Sequence, residues 1–199
     1  MAINFTFPVR LLAAAAFSLG AMTASAEEMT IKHAQGETVL KAAPKKVLVL
    51  DVPSLDNLDA LGVEPTGVVG SNLPTYLQKY ADGKYLKVGT LFEPDYEAIN
   101  AAEADLVIVG GRSRAKYPDV AKITPAIDMS VDSEEFIGSV KANIAKLGDI
   151  FGKQEEAKKL DAAIDEKVAK LKEIAPNSGT AMILVTNAGK VGVYGPGSR

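Results

Sequence analysis

Leu106-Val107-Ile108-Val109-Gly110-Gly111-Arg112 decides how this chain folds. Four consecutive apolar residues predict a strand buried on both faces, the pattern of a parallel sheet covered by helices. The paired glycines end the strand, and the arginine follows on the loop. Working outward, Val47-Leu48-Val49-Leu50 repeats the pattern between Pro44-Lys45-Lys46 and Asp51, and 66–69 reads as a further short strand. Residues 54–61 predict a helix with Ser54 as N-cap and Gly62 as its stop. A second helix over 95–102 leads into the strand at 106–109. Strands alternating with helices predict parallel βαβ units rather than a meander. In such open sheets ligands bind at the carboxyl ends of strands. Asp51, Gly70-Ser71-Asn72 and Gly110-Gly111-Arg112 all fall at those ends.

Residues 133–174 have a different texture, rich in Ala, Lys, Glu and Leu and broken at Gly148 and Gly152. Ile137, Val140, Ile144 and Leu147 share one helical face, and Leu160, Ile164, Val168 and Leu171 share another. Two helices are predicted, the second long and ended by Pro176 and Gly179. Strand signals resume at 181–185 and at Val191-Gly192-Val193. The expected class is α/β: an N-terminal lobe with a parallel-type sheet and flanking helices, a long backbone helix, and the start of a second α/β lobe. The divisions are 27–132 for the first lobe, 133–176 for the linking helices and 177–199 for the second lobe. That last stretch has too little apolar area to offset its ordering entropy, so it reads as incomplete and the sequence as truncated.

Met1 to Ala26 has one positive charge at Arg10, an apolar run over 11–22 and the small-residue close Ala24-Ser25-Ala26. That is the layout of a cleavable secretory signal peptide over 1–26, with a run too short to span a membrane. A chain with no cysteine has no lipid-anchored thiol, disulfide or thiolate metal site, so a free exported protein in the periplasm, stabilised by its core, is expected. The net charge of −3 argues against nucleic acid as a partner. One histidine and no cysteine argue against a zinc- or manganese-binding role. No Gly-x-Ser-x-Gly elbow occurs, and the glycines of 192–197 precede no helix, so neither a hydrolase nor a dinucleotide site is indicated.

Arginine offers a permanently charged planar donor set, and two arginines close turns here. Arg112 follows Gly110-Gly111, and Arg199 follows Tyr194-Gly195-Pro196-Gly197-Ser198. One in each half suggests a cleft for a negatively charged ligand. Tyr76, Tyr80 and Tyr85 read as core or pocket-wall residues, with core favoured. Ser71 and Asn72 suit either a turn or a ligand contact. His33, in a predicted edge strand over 29–33, reads as a surface residue.

Pro44 to Asp51, then Val88-Gly89-Thr90-Leu91-Phe92-Glu93-Pro94-Asp95-Tyr96-Glu97-Ala98-Ile99, then Ala104-Asp105-Leu106-Val107-Ile108 resemble the N-terminal lobe of the iron-siderophore and vitamin B12 periplasmic binding proteins. Pro74-x-Tyr76-Leu77-x-x-Tyr80, Gly110-Gly111-Arg112 and Tyr194 to Arg199 point further, to the catecholate-siderophore branch that includes enterobactin- and petrobactin-type binders. The resemblance implies two α/β lobes joined by a backbone helix, a ferric catecholate siderophore held between them, and delivery to an inner-membrane ABC permease. It implies a monomer without enzymatic activity or intrinsic cofactor, with arginines of both lobes around the ligand. Arg112 falls at the first-lobe arginine position and Arg199 at the first of the second lobe. Glu97 falls at the first-lobe glutamate that docks on permease arginines, although a helix macrodipole also favours an acid there. A further arginine, and in some members a tyrosine and a histidine, lie beyond the matched positions. Alternatives are a heme or vitamin B12 binder, or a non-functional N-lobe fragment.

Overall fold

The structure, a computed structural model, describes residues 28–195. The expected signal peptide and Arg199 lie outside the described residues. The chain opens with a hairpin, β1 (Met29–His33) and β2 (Gly36–Leu40), paired antiparallel. Then come β3 (Val47–Val49), α1 (Val52–Ala60), β4 (Gly67–Val68), a 3-10 helix (Thr75–Ala81), β5 (Leu86–Lys87), α2 (Tyr96–Ala101) and β6 (Leu106–Val109). A short turn enters α3 (Tyr117–Val120), followed by β7 (Ala126–Asp128), α4 (Phe136–Phe151) and α5 (Gln154–Ile174). A second hairpin, β8 (Ile183–Asn187) and β9 (Lys190–Tyr194), completes the order.

The two apolar runs sit side by side as β3 and β6 at the centre of a five-stranded parallel sheet ordered β5-β4-β3-β6-β7. Their residues are buried on both faces, as predicted. Val47, Val49, Leu106 and Ile108 pack with Leu55 and Leu58 of α1 and Ile144 and Leu147 of α4. Leu48, Leu50, Val107 and Val109 face the other way, toward Ile99 of α2 and Val120 of α3. Each fully buried side chain of this size contributes about 1.5–3 kcal/mol, so the doubly covered strands anchor the lobe.

Two local expectations are corrected. Helix α1 begins before Ser54: Asp51 is the N-cap, accepting from the Ser54 backbone N–H, and Pro53 fits in the first turn. Gly148 does not break the helical stretch but lies inside α4. A Cβ there would stand 2.8 Å from the Ala157 Cβ, so its lack of a side chain lets α5 pack closely on α4. The break is at Gly152, the left-handed C-cap of α4. Lys141 of α4 bridges Asp161 and Asp165 of α5 at 3.2 and 2.7 Å, and Leu160 and Ile164 pack against the core.

Candidate functional site at the carboxyl edge of the sheet

From β3 the chain winds outward through β4 to β5, then returns to the other side of β3 as β6 and β7. The loops after β3 and β6 therefore diverge and leave a crevice between neighbouring strand ends, the usual place for a ligand in an open parallel sheet. Asp51 leaves β3 at this crevice, and Gly110-Gly111-Arg112 leaves β6.

Asp51 is 4% exposed and accepts twice from Ser54 through Oδ2, from the backbone N–H at 2.9 Å and from the hydroxyl at 2.7 Å. Its carboxylate fills the space beneath the β6 turn. A Cβ on Gly110 would lie 2.9 Å from the Asp51 Cγ, so only glycine lets the turn settle onto that carboxylate. Burial pushes the Asp51 carboxyl above the usual range. The Ser54 hydrogen bonds pull it down, Asp128 raises it further and Arg112 opposes that.

The turn is tied down from both sides. The buried Ser113 hydroxyl accepts from the Gly110 N–H at 3.1 Å and donates to the Gly110 carbonyl at 3.0 Å. The Gly111 N–H donates to Ser130 Oγ at 3.1 Å, and Ser130 donates in turn to Asp128 Oδ1 at 2.6 Å. Asp128, at the end of β7, is 1% exposed and its Oδ2 accepts from Gln35 Nε2 at 2.7 Å. Arg112 stands exposed on this fixed turn, with no hydrogen bond or ion pair among the described residues. A cleft of about 480 Å³ opens beside it, lined by Asp51, Pro53, Gly111, Arg114, Ser130 and Phe136 among others.

The raised Asp51 carboxyl carries a testable sign. A folded value above the ordinary 3.8 means the native state takes up its proton before the unfolded chain does, so this group stabilises the fold as pH falls through that window. An asparagine in its place could still accept from Ser54 and would carry no buried charge. Asp51→Asn is therefore expected to unfold in urea at pH 7 within about 1 kcal/mol of the wild type. The wild type should gain on the variant between pH 7 and pH 4. A loss on acidification, isolated by the same comparison, would contradict this assignment.

Glu97 lies exposed in the first turn of α2, whose N-cap Asp95 accepts from the Ala98 N–H at 2.9 Å. Since α2 follows β5, that turn faces the same edge of the sheet as Arg112. Lys116 and Glu93, 3.3 Å apart, link the loop before α2 to the segment after Arg112. Arg112 thus follows the glycine turn beside the cleft, and Glu97 lies exposed in the first turn of α2, toward the same edge of the sheet.

The opposite edge holds a concavity of about 660 Å³ around Asp59, Glu64, Lys79, Tyr80, Lys84 and Tyr85. Its charges are satisfied internally. Lys79 pairs with Asp59, Lys84 with Glu64 at 2.8 Å, Tyr80 donates to Asp59 at 2.8 Å and Tyr85 donates to Glu64. Tyr80 and Tyr85 are buried as expected, but Tyr76 is 66% exposed and belongs to no core. Asn72 adopts a left-handed backbone and bonds to Ser71, which fits the turn reading of both. His33 is half-buried rather than a surface residue, in contact with Thr38 and Tyr117. Among the described residues no group of three or more His, Asp or Glu could hold a metal ion. No described helix is long and apolar enough to cross a membrane.

Sequence and structure comparisons agree with one another. The profile of the periplasmic binding protein family matches residues 47–199. The petrobactin-binding protein YclQ of Bacillus subtilis is 36% identical over 178 residues, covering 87% of this chain and 56% of that protein. Its crystal structure superposes with a TM-score of 0.83 at 35% identity, over 86% of this chain and 62% of that one. The ferric-anguibactin-binding protein FatB of Vibrio anguillarum is 31% identical over 177 residues, 86% of this chain and 55% of that protein. The periplasmic catecholate-siderophore binding protein VctP of Vibrio cholerae has a TM-score of 0.79 at 30% identity, over 86% and 62% of the two chains. The chain thus spans little more than half the length of the curated relatives it matches.

Proposed function

Because the chain belongs to the periplasmic binding protein family, we propose that it serves iron uptake, binding a ferric catecholate siderophore for an inner-membrane ABC permease. The observation that carries this reading is the exposed Arg112 guanidinium, without a hydrogen bond or ion pair among the described residues, on a turn at the switch point of a parallel sheet. A ferric tris-catecholate is trianionic, and its deprotonated oxygens accept hydrogen bonds from planar donors. Each charge-assisted bond is worth about 1.5–3 kcal/mol. The relatives are named for petrobactin, anguibactin and catecholate siderophores, which supports the ligand class.

In this reading Arg112 is the first-lobe anchor and Arg199 a second, Glu97 docks on the permease, and the lobes divide at 27–132, 133–176 and 177–199. Binding and release are the whole mechanism; no bond is made or broken. With six tyrosines and no tryptophan, tyrosine fluorescence reports binding. Titration with a hexadentate ferric tris-catecholate is expected to quench it, and Arg112→Ala should weaken binding about 10- to 100-fold. Glu97→Ala should leave that affinity unchanged and lower only permease-dependent uptake. Equal affinity in the wild type and Arg112→Ala would remove Arg112 from the site.

A further inference from the structure

The β1–β2 turn reaches the ligand edge from outside the parallel sheet, and none of its residues belongs to the proposed site. We propose that Gln35 is a positioning residue for the Arg112 turn, and that the β1–β2 turn is a latch held shut by neutral His33. The functional part of this inference rests on the reading of Arg112 as a ligand residue.

Gln35 spends both N–H donors of its side-chain amide on the turn's two supports. Nε2 donates to the Arg114 carbonyl at 2.8 Å and to Asp128 Oδ2 at 2.7 Å. Arg114 lies two residues beyond Arg112. Asp128 holds Ser130, which holds the Gly111 N–H. One amide therefore grips both ends of the segment that presents Arg112.

Gln35 is itself held by His33. The Gln35 backbone N–H donates to His33 Nδ1 at 3.2 Å, and the neighbouring Ala34 N–H donates to the Asp128 carbonyl at 3.1 Å. A ring nitrogen that accepts carries no proton, so the His33 proton sits on Nε2. Thr38 donates its own hydroxyl proton to the Ala126 carbonyl at 2.6 Å, leaving its oxygen to accept from Nε2 at 3.1 Å. A second proton, on Nδ1, would set N–H against N–H and undo the hold on Gln35.

The groups facing the ring come from each element packed on it. Asp128 of β7 favours the cation, and Lys146 of α4 opposes it. Tyr117 of α3 touches the ring, with centroids 5.0 Å apart and its hydroxyl 3.3 Å from Nε2. Within the hairpin, Lys32 and Glu37 pair with each other at 3.6 Å. Burial dominates and lowers the His33 pKa, so the imidazole is neutral at pH 7 and protonates only below its ordinary range. Acid should therefore open the latch and loosen the turn.

The test compares the wild type with Gln35→Met, which keeps the length without donors, and Gln35→Lys, which keeps a donor. Amide hydrogen exchange over 111–116, corrected for intrinsic rates, is the ligand-independent readout. Gln35→Met is expected to raise it about tenfold at pH 7.5 with an unchanged Tm, and Gln35→Lys to restore part of the protection. A titration downward through and below the ordinary histidine range should raise exchange in the wild type, where His33 takes up its second proton, and add nothing in Gln35→Met. Affinity for the same ferric tris-catecholate should fall about 3- to 10-fold in Gln35→Met, less than in Arg112→Ala. Unchanged exchange over 111–116 in Gln35→Met, or a rise spread over the whole chain with a lower Tm, would overturn the latch. If Arg112→Ala leaves affinity intact, the proposed function fails on that arm, while the exchange result still decides the latch.

Discussion

Gly89→Ala is expected to lower the free energy of unfolding by about 3–5 kcal/mol, measured by urea denaturation, because nothing around this residue can give way. Its backbone has φ +99°, a region that costs an L side chain about 1–3 kcal/mol. An added Cβ would also stand 2.4 Å from the Glu93 carbonyl oxygen and 2.5 Å from the Asp95 nitrogen, both main-chain atoms. Those atoms are fixed by a closed loop. Thr90 N–H donates to the Glu93 carbonyl at 2.9 Å, Asp95 N–H to the Val88 carbonyl at 3.0 Å, and Thr90 Oγ1 accepts from the Phe92 and Glu93 N–H groups. The Gly89 carbonyl in turn accepts from the Gly70 N–H at 2.8 Å, tying the loop to the end of β4. Relieving the clash would displace Asp95, the cap of α2, and with it Glu97. Gly83 supplies the control, since an added Cβ there meets nothing within 4 Å; Gly83→Ala should stay within about 0.5 kcal/mol of the wild type. Equal stability of the two variants would refute the steric account.

That loop also explains why Gly89-Thr90-x-x-x-Pro94-Asp95 is legible as a motif. Its residues each serve a local purpose, with close approach at Gly89, side-chain acceptance at Thr90 and capping at Asp95. The strands at 47–50 and 106–109 are legible for a similar reason, because four apolar residues in a row between polar flanks must be covered on both sides. Short strands carry no such signal. Leu86-Lys87 is a strand only because it pairs with Gly67-Val68, and Ala126-Ile127-Asp128 only because it pairs with β6. The expected start of α1 falls late because Asp51 and Ser54 are both good caps, and the structure uses the first to bind the second. At the site, Arg112 can be found from its place after Gly110-Gly111. Its supports cannot. Ser130 bonds 19 residues back, and Gln35 reaches 79 and 93 residues ahead, separations that no local periodicity encodes.

Hydrogen exchange should divide the chain more sharply than any of these substitutions. Amides of β8 and β9 are expected to exchange at least about a thousandfold faster than those of β3 and β6, after correction for intrinsic rates. A two-stranded hairpin is marginal in water unless a third strand or a helix covers a face. This one turns tightly through Ala188 and Gly189, both with positive φ, and pairs in full register from Ile183–Tyr194 to Asn187–Lys190. Its ladder is regular but no described residue covers its faces: Ile183, Leu184, Val185, Val191 and Val193 are all exposed, and none joins either core cluster. Opening it therefore costs only the ladder bonds, offset by the chain entropy released. The β3 amides contrast with this, bonded between β4 and β6 beneath helices on both faces, where exposure to water requires unfolding of the whole lobe. Protection in 183–194 equal to that of β6 would show these apolar side chains to be buried in solution. Repeating the measurement at tenfold dilution would then assign the cover: protection lost on dilution comes from a second molecule, and protection retained comes from the chain itself.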